Sequence, residues 1–369
     1  MKKIALVHDW LFGIAGGEKC LEAICELYEG PIYTLFQDKD ALKGTIFQGR
    51  EIHPSFLQHL PRVKSYYRNL LPLFPTAIEQ FDLSDYPVVI SSSHAVAKGV
   101  KTHKGQTHIC YCHSPMRYAW DLADFHLAYL SRAKQFIARP TLSYLRRWDK
   151  KTEHRVDYFI ANSRYVAKRI EKNYGRKAKV IHPPVDTHLF SIAPTREDYY
   201  FTCSRLVPYK RIDLLVEAFA KMPEKRLVVV GDGPEMGALK DKATKNIELL
   251  GFQEDSVLRE LLSKSRAFLF APEEDFGIVA VEAQAAGIPV IAYGKGGAQE
   301  TVVEGRSGLF FDEQTPQSLM AAIDHFEAME DQFDPKGIKE GAMRFSKERF
   351  QKEIQDFVSA KVEMRALSD

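Results

Sequence analysis

Short apolar runs alternate along the chain with stretches in which apolar residues recur every three or four positions, the pattern of strands feeding helices in a wound parallel sheet. In the first half the strand candidates are IALV (4–7), PVVISSS (87–93), HICYCH (108–113), DYFIANS (157–163) and KVIHPP (179–184). The second half repeats the scheme with YYFTCSRL (199–206), RLVVVGDG (226–233), IELLGF (247–252), AFLFAP (267–272) and PVIAYG (289–294). The doubled pattern predicts an α/β protein made of two Rossmann-like domains facing each other. Periodicity gives way to prolines and polar residues at HPPVDTHLFSIAPTRED, so the expected domains are 1–184 and 185–345. The remaining segment, 346–369, contains SKERFQKEIQDFVSAKVEM, in which Phe350, Ile354 and Phe357 are spaced by four and three, as in an amphipathic helix.

Composition narrows the class. With 369 residues, 45% hydrophobic and 27% charged, the chain suits two soluble domains. No run approaches the roughly 18 consecutive apolar residues of a membrane-spanning helix. The opening MKKIALVHDW turns polar at His8 and Asp9, too early for a secretory signal, and reads as a first strand. Five scattered cysteines form no disulfide framework and predict a cytoplasmic protein. The net charge of +2 hides an asymmetry: residues 1–185 carry 28 Lys+Arg against 17 Asp+Glu, and the remainder 23 against 32. A basic half predicts an anionic partner surface or ligand. Two basic segments, PRVKSYYRNLLPLF (61–74) and SRAKQFIARPTLSYLRRWDKKTEHR (131–155), interleave Lys and Arg with aromatic and aliphatic residues. Interfacial helices on an anionic membrane have that composition, and so do solvated helical faces. Nucleic acid is not an expected partner.

Ligands of open parallel sheets collect beyond the carboxyl ends of the strands, where loops enter helices. Four loops there carry candidate chemistry. In WLFGIAGGEKCLEAI, Gly13, Gly16 and Gly17 precede a helix expected from about Glu18, and glycines let backbone N–H groups approach a phosphate. The spacing is neither a dinucleotide fingerprint nor a P-loop. In TCSRLVPYKRIDLLVEAF, Arg205 and Lys210 flank the entry to a helix near Ile212, suited to a diphosphate. In EEDFGIVAVEAQAAG, Gly277 keeps Glu274 in the loop, and helical projection turns Glu282 away from Gln284. Carboxylates at both places can accept vicinal hydroxyls of sugars. In CYCHSP, Cys110 and Cys112 share one strand face without the further ligands a metal needs, and His113 at the strand end is the better candidate. The D-x-D of Asp38 and Asp40 reads as a turn rather than a metal–nucleotide site.

The glycine loop GIAGGE, SRLVPYKRIDLLVEAF, GDGPE, LLGF and the E-x7-E segment followed by EAQAAGIPVIAYGKGGAQETV run in order from residue 13 to about residue 310. In this set the chain resembles the retaining GT-B glycosyltransferases of family 4, the glycosyl transferase group 1 type. The resemblance implies that Arg205 and Lys210 bind the donor diphosphate, that Glu274 holds donor-sugar hydroxyls with Phe276 and Gly277 presenting N–H groups, and that Glu282 takes the ribose. It implies that Gly16 and Gly17 approach the diphosphate and acceptor, that His113 lies near the donor sugar, and that no metal cofactor is needed. The C-terminal helix would cross back to the first domain, and closure of the two domains would exclude water. Where relatives have Lys-Gly, this chain has Lys210-Arg211. CYCHSPMRYAWD and EEDFGIVAVEAQAAG are most similar to bacterial O-antigen and polysaccharide mannosyltransferases. That similarity implies GDP-mannose as donor and a polyprenyl-diphosphate-linked or saccharide acceptor, handled in the cytoplasm at the inner membrane face. A UDP-sugar transferase, a GT-B epimerase and a non-catalytic binding module are the other readings.

Overall fold

A computed structural model of the protein describes residues 3–123, 127 and 131–367. The chain divides into two compact units, Met1–Pro184 with Phe350–Asp369, and Val185–Arg349. The first contains β1 (Ile4–His8), β2 (Ile32–Thr34), β3 (Ile52–Pro54), β4 (Val88–Ser93), β5 (Thr107–Cys112), β6 (Tyr158–Ala161) and β7 (Ala178–Val180), in the order β3-β2-β1-β4-β5-β6-β7. The second contains β8 (Tyr200–Cys203), β9 (Leu227–Val230), β10 (Ile247–Leu249), β11 (Ala267–Phe270), β12 (Val290–Tyr293) and β13 (Gly308–Phe311), in the order β10-β9-β8-β11-β12-β13. Every pairing is parallel.

Strand order reverses between β1 and β4 in one sheet and between β8 and β11 in the other, which opens a crevice beyond each pair of carboxyl ends. Parallel strands covered on both faces read as continuous apolar runs, and β1 is buried along its whole length. Leu6 packs with Ile24 and Tyr111 on one face, while Ala5 and Val7 pack with Phe36 and Phe74 on the other. Three strands escaped the sequence pattern. β2 and β3 are three residues each, too short to show a period. β13 opens on Gly308, where a Cβ would lie 1.9 Å from the Val290 carbonyl oxygen of the neighbouring strand.

The C-terminal helix Lys347–Ala366 buries Phe350, Ile354 and Val358 in the core of the first unit, Phe350 meeting Tyr111 at 5.5 Å between ring centroids. Phe357 is only partly buried, so the inward spacing is four and four rather than four and three. Gln351 donates to the Ala23 carbonyl at 3.2 Å and to Glu26 at 2.7 Å.

The two basic segments differ in structure. Residues 61–74 do not form a sustained amphipathic helix: they fold as 3₁₀ turns over Val63–Ser65 and Tyr67–Leu73. Pro72 removes a backbone donor there. Arg132–Lys151 is a 20-residue helix. Its C-terminal half is anchored by Leu145 and by Asp149, whose Oδ1 lies 3.0 Å from the buried Lys98 ammonium and whose Oδ2 accepts from Trp120 and Tyr174 at 2.8 Å each. Its N-terminal half leaves Phe136 82% and Ile137 69% exposed. Among the described residues no helix is long and apolar enough to cross a membrane.

Candidate active site

Both topological switch points carry a cluster of polar side chains. In the first unit, β1 delivers His8 and Asp9, β4 delivers Ser92 and His94, and β5 delivers His113. Asp9 is fully buried and accepts four backbone N–H groups, from His94 (2.7 Å), Ala95 (2.9 Å), Val96 (2.6 Å) and Ala97 (2.8 Å). With four donors on its two oxygens the carboxylate is held in place, and it clamps the loop after β4. His94 Nδ1 lies 3.2 Å from the same carboxylate, and its ring meets Trp10 edge-on at 4.4 Å.

The helix Gly16–Leu27 starts two residues earlier than expected from the sequence. The cause is local: Glu18, at the third helical position, accepts from the Ala15 N–H at 3.1 Å, which fixes the first turn around Gly16 and Gly17. The other Glu18 oxygen lies 3.4 Å from His8 Nε2, and a Cβ at Gly17 would stand 3.7 Å from His113 Nε2. Gly16, Gly17 and His113 are therefore brought to one place, together with Glu18 and His8. Burial pushes the Glu18 carboxyl upward, but the His8 hydrogen bond and the charges of His8 and His94 outweigh it and hold the group at about 2. Burial, reinforced by His94 and His8, pushes His113 down to about 3, so its ring is neutral at physiological pH. His94 is lowered chiefly by burial.

His8, Asp9, Glu18, Ser92 and His94 were not singled out from the sequence. The signal was present in outline, since HD and SSSH both stand where apolar strands end, but only the sheet order shows that those ends are neighbours. Cys110 and Cys112 are buried in the core, where burial raises the Cys112 thiol; all five cysteines are free and buried. Asp38 accepts from the Asp40 N–H at 3.1 Å and pairs with Lys64, while Asp40 pairs with Lys43 at 2.7 Å. No group of three His, Cys, Asp or Glu among the described residues converges as a metal site does.

In the second unit the loop after β8 carries Arg205, exposed, and ends in a 3₁₀ turn at Pro208–Lys210 before the helix Ile212–Phe219. The loop after β11 carries Glu274. The Lys210 ammonium and the Glu274 carboxylate form an ion pair, with the side chains 21% and 17% exposed. Gly277, at φ 90°, caps the helix Ile278–Ala285; a Cβ there would meet the Phe270 ring at 2.9 Å. Phe276 is buried against Phe345. The Glu274 loop is seated on the KGGAQ loop, whose Gly297 N–H donates to the Glu274 carbonyl at 2.8 Å. A Cβ on Gly297 would lie 2.3 Å from Phe276 Cα, so this contact requires glycine.

Glu282 is 8% exposed, and the projection placed it correctly off the solvent face. The helix has no polar side at Gln284, however. Gln284 is itself buried and donates back to the Ala280 carbonyl at 3.0 Å, because residues Ala280–Ala285 are covered all round. Arg211, the departure from Lys-Gly, has φ 56° and ψ 35°, the left-handed region. Its side chain reaches Asp213 Oδ1 and Gln314 Oε1, each at 3.3 Å.

With both clusters described, comparison with known proteins places them in a family context. Residues 187–344 match the glycosyl transferases group 1, and residues 32–189 match Glycosyltransferase Family 4. An uncharacterized glycosyltransferase of Methanocaldococcus jannaschii is 30% identical over 52% of this chain and 55% of its own length. A GDP-mannose-dependent phosphatidylinositol monomannoside mannosyltransferase of Mycolicibacterium smegmatis is 32% identical over 44% of this chain and 50% of its own. The chain thus spans about half the length of the curated relatives it matches. Two solved structures share the whole fold. Anabaena HepE in complex with UDP and glucose has a TM-score of 0.73 at 20% identity, covering 97% of this chain and 100% of that one. Sucrose-phosphate synthase from Thermosynechococcus elongatus has a TM-score of 0.75 at 19% identity, covering 98% and 99%.

Proposed function

Since the chain belongs to the group 1, family 4 glycosyltransferases of GT-B fold, we propose that it transfers a hexose, with retention, from a nucleoside-diphosphate sugar to a saccharide or polyprenyl-diphosphate-linked acceptor in cell-surface polysaccharide or O-antigen synthesis. GDP-mannose is the proposed donor, on the strength of relatives named for that donor. The observation that carries the reading is the Lys210–Glu274 pair at the β8/β11 switch point. A cation and a carboxylate held side by side can divide between the two ends of a sugar diphosphate, Lys210 with Arg205 on the phosphates and Glu274 on the sugar hydroxyls. Phe276 and Gly277 supply backbone at the same loop, and Glu282 takes the ribose.

No protein nucleophile is required. The acceptor hydroxyl attacks C1 on the face that the diphosphate leaves, and a departing phosphate oxygen takes the proton. Arg205 and Lys210 offset the charge that builds on the leaving group. In the first unit, Gly16, Gly17 and His113 are the proposed contacts for diphosphate and sugar. A cavity of about 520 Å³, lined among others by Phe12, His59, Leu60, Arg62 and Lys64, joins apolar to cationic surface and suits a phosphate-bearing acceptor. Exposed Phe136 and Ile137, set among basic residues of their helix, are the proposed contact with an anionic membrane.

A thermal-shift screen of GDP-, UDP- and ADP-sugars tests the reading. GDP-mannose is expected to raise the melting temperature of the wild type and to lose that effect in Glu274→Ala. If no nucleotide sugar stabilises the protein, the transferase reading fails. If UDP-glucose acts and GDP-mannose does not, the second reading, a UDP-sugar transferase, takes its place; the UDP-bound fold neighbour is the observation that favours it. Turnover is expected to survive EDTA. Release of an altered sugar without acceptor would instead mark an epimerase.

A further inference from the structure

We infer that Glu18, His8 and Ser92 form a proton-ordering relay that holds His113 with its ring proton on Nδ1, making that nitrogen a hydrogen-bond donor. The relay is continuous. Glu18 Oε1 lies 3.4 Å from His8 Nε2; His8 Nδ1 lies 3.1 Å from both the carbonyl oxygen and the hydroxyl of Ser92; the Ser92 hydroxyl lies 2.8 Å from His113 Nε2. His8 and Ser92 are fully buried and Glu18 nearly so, which keeps water from substituting for any link.

The direction of each bond follows from what the partners can do. The Glu18 carboxylate, ionised, only accepts, so His8 Nε2 donates. The Ser92 carbonyl only accepts, so His8 Nδ1 donates toward Ser92 as Nε2 does toward Glu18. The Ser92 hydroxyl is then turned away from His8 and donates to His113 Nε2. His113, neutral in this setting, must carry its one proton on Nδ1, which has no protein hydrogen-bond partner among the described residues. Two other ionisable rings face His113: Tyr111, at 5.1 Å, whose hydroxyl donates to the Ile181 carbonyl, and His94, at 6.2 Å and 5.9 Å from His8, which is held by Asp9; among the described residues neither is hydrogen-bonded into the relay.

The consequence, which rests on the transferase reading, is that the site offers the donor sugar a neutral N–H rather than a cation. A sugar losing its leaving group develops positive charge at C1 and the ring oxygen. An imidazolium at His113 would repel that charge, whereas a neutral donor can hold a sugar oxygen without opposing it. Glu18, His8 and Ser92 are thus positioning residues, acting through His113.

Nitrogen NMR of the histidine-labelled protein at neutral pH tests the relay with no substrate present, so its outcome is separate from that of the transferase reading. The His113 signals are identified by their loss in His113→Gln. In the wild type His113 is expected to be protonated at Nδ1. Glu18→Gln removes the acceptor-only partner of His8 Nε2, so His8 no longer has to donate at both nitrogens; the Ser92 hydroxyl is then expected to turn to His8 and His113 to shift its proton to Nε2. Ser92→Ala loses the fixed tautomer, and Ser92→Thr, which keeps the hydroxyl, retains it. With the donor found in the screen, Ser92→Ala is expected to lower kcat/KM about tenfold, the worth of one hydrogen bond of about 1.4 kcal/mol, and Ser92→Thr to restore most of it. A wild-type His113 protonated at Nε2, or a tautomer unmoved in both Glu18→Gln and Ser92→Ala, overturns the relay.

Discussion

At the ends of β1 and β4, His8, Asp9, Glu18 and Ser92 are buried and held by hydrogen bonds, while at the ends of β8 and β11 Lys210 and Glu274 ride on loops and stay about one-fifth exposed. The first cluster is built from two carboxylates whose hydrogen bonds are already filled: Asp9 by four backbone N–H groups, Glu18 by Ala15 and His8. The second is built from an ion pair on two loops, Lys210 with Glu274, which in the proposed function parts to take up the donor. Satisfied buried groups set geometry and protonation. An ion pair that keeps contact with solvent is screened and contributes less to stability than a fully buried network. The same topological position therefore carries a preset scaffold in one unit and, under the proposed function, an adaptable ligand grip in the other.

That contrast can be broken at several points. Asp9→Asn is expected to have the largest effect. It replaces an acceptor-only group with one whose amide faces backbone donors, and should cost the first unit about 3–5 kcal/mol, measured by urea unfolding. A loss below about 1 kcal/mol would put Asp9 in the same category as the surface pairs. Lys210→Ala should behave in the opposite way, leaving unfolding nearly unchanged while lowering kcat/KM by about 10²–10³. Steady-state kinetics with the donor from the screen decide this, and unimpaired turnover would sink the assignment of Lys210.

Acid sensitivity sharpens the comparison further. The Glu18 carboxyl is held at about 2 against an ordinary 4.5. A depressed folded-state value means stability that is fully present above about pH 4.5 and is lost as pH falls toward 2, amounting to about 3 kcal/mol. Unfolding followed between pH 6 and pH 2.5 should show this slope in the wild type and a flatter one in Glu18→Gln. The smallest effect is expected at Arg211→Gly. Relief of a left-handed non-glycine residue is offset by the greater freedom of glycine in the unfolded chain and by the lost contacts to Asp213 and Gln314, for a net change within about 1 kcal/mol. A larger loss in the second unit's melting transition would show that the Arg211 side chain, not its backbone, matters there.

Arg211 also shows where a motif can mislead. Against a Lys-Gly pattern, arginine reads as a tolerated change of side chain. The backbone here lies at φ 56°, in the left-handed region that favours glycine, and the arginine side chain finds two partners there. Glu282 and Gln284 carry a related lesson. Helical projection separated them into two faces, but a helix wrapped on every side has no outer face, and Gln284 solves its burial by bonding to its own backbone.

The amino-acid sequence by itself determined ten apolar runs that mark strands feeding helices, helix entries near Glu18 and Ile212, the E-x7-E segment and the basic first half. These are legible because each depends on neighbours within a few positions: apolar runs, caps, glycines and proline breaks act locally. The strands β2, β3 and β13 were not legible: β13 opens on a glycine, and the extension of β2 and β3 is imposed by the strands beside them. Nor was the group of Glu18, His8, Ser92 and His113, which spans 105 positions from His8 to His113. Only the order β2-β1-β4-β5 sets those strand ends side by side, and only burial turns four ordinary polar residues into one hydrogen-bonded unit.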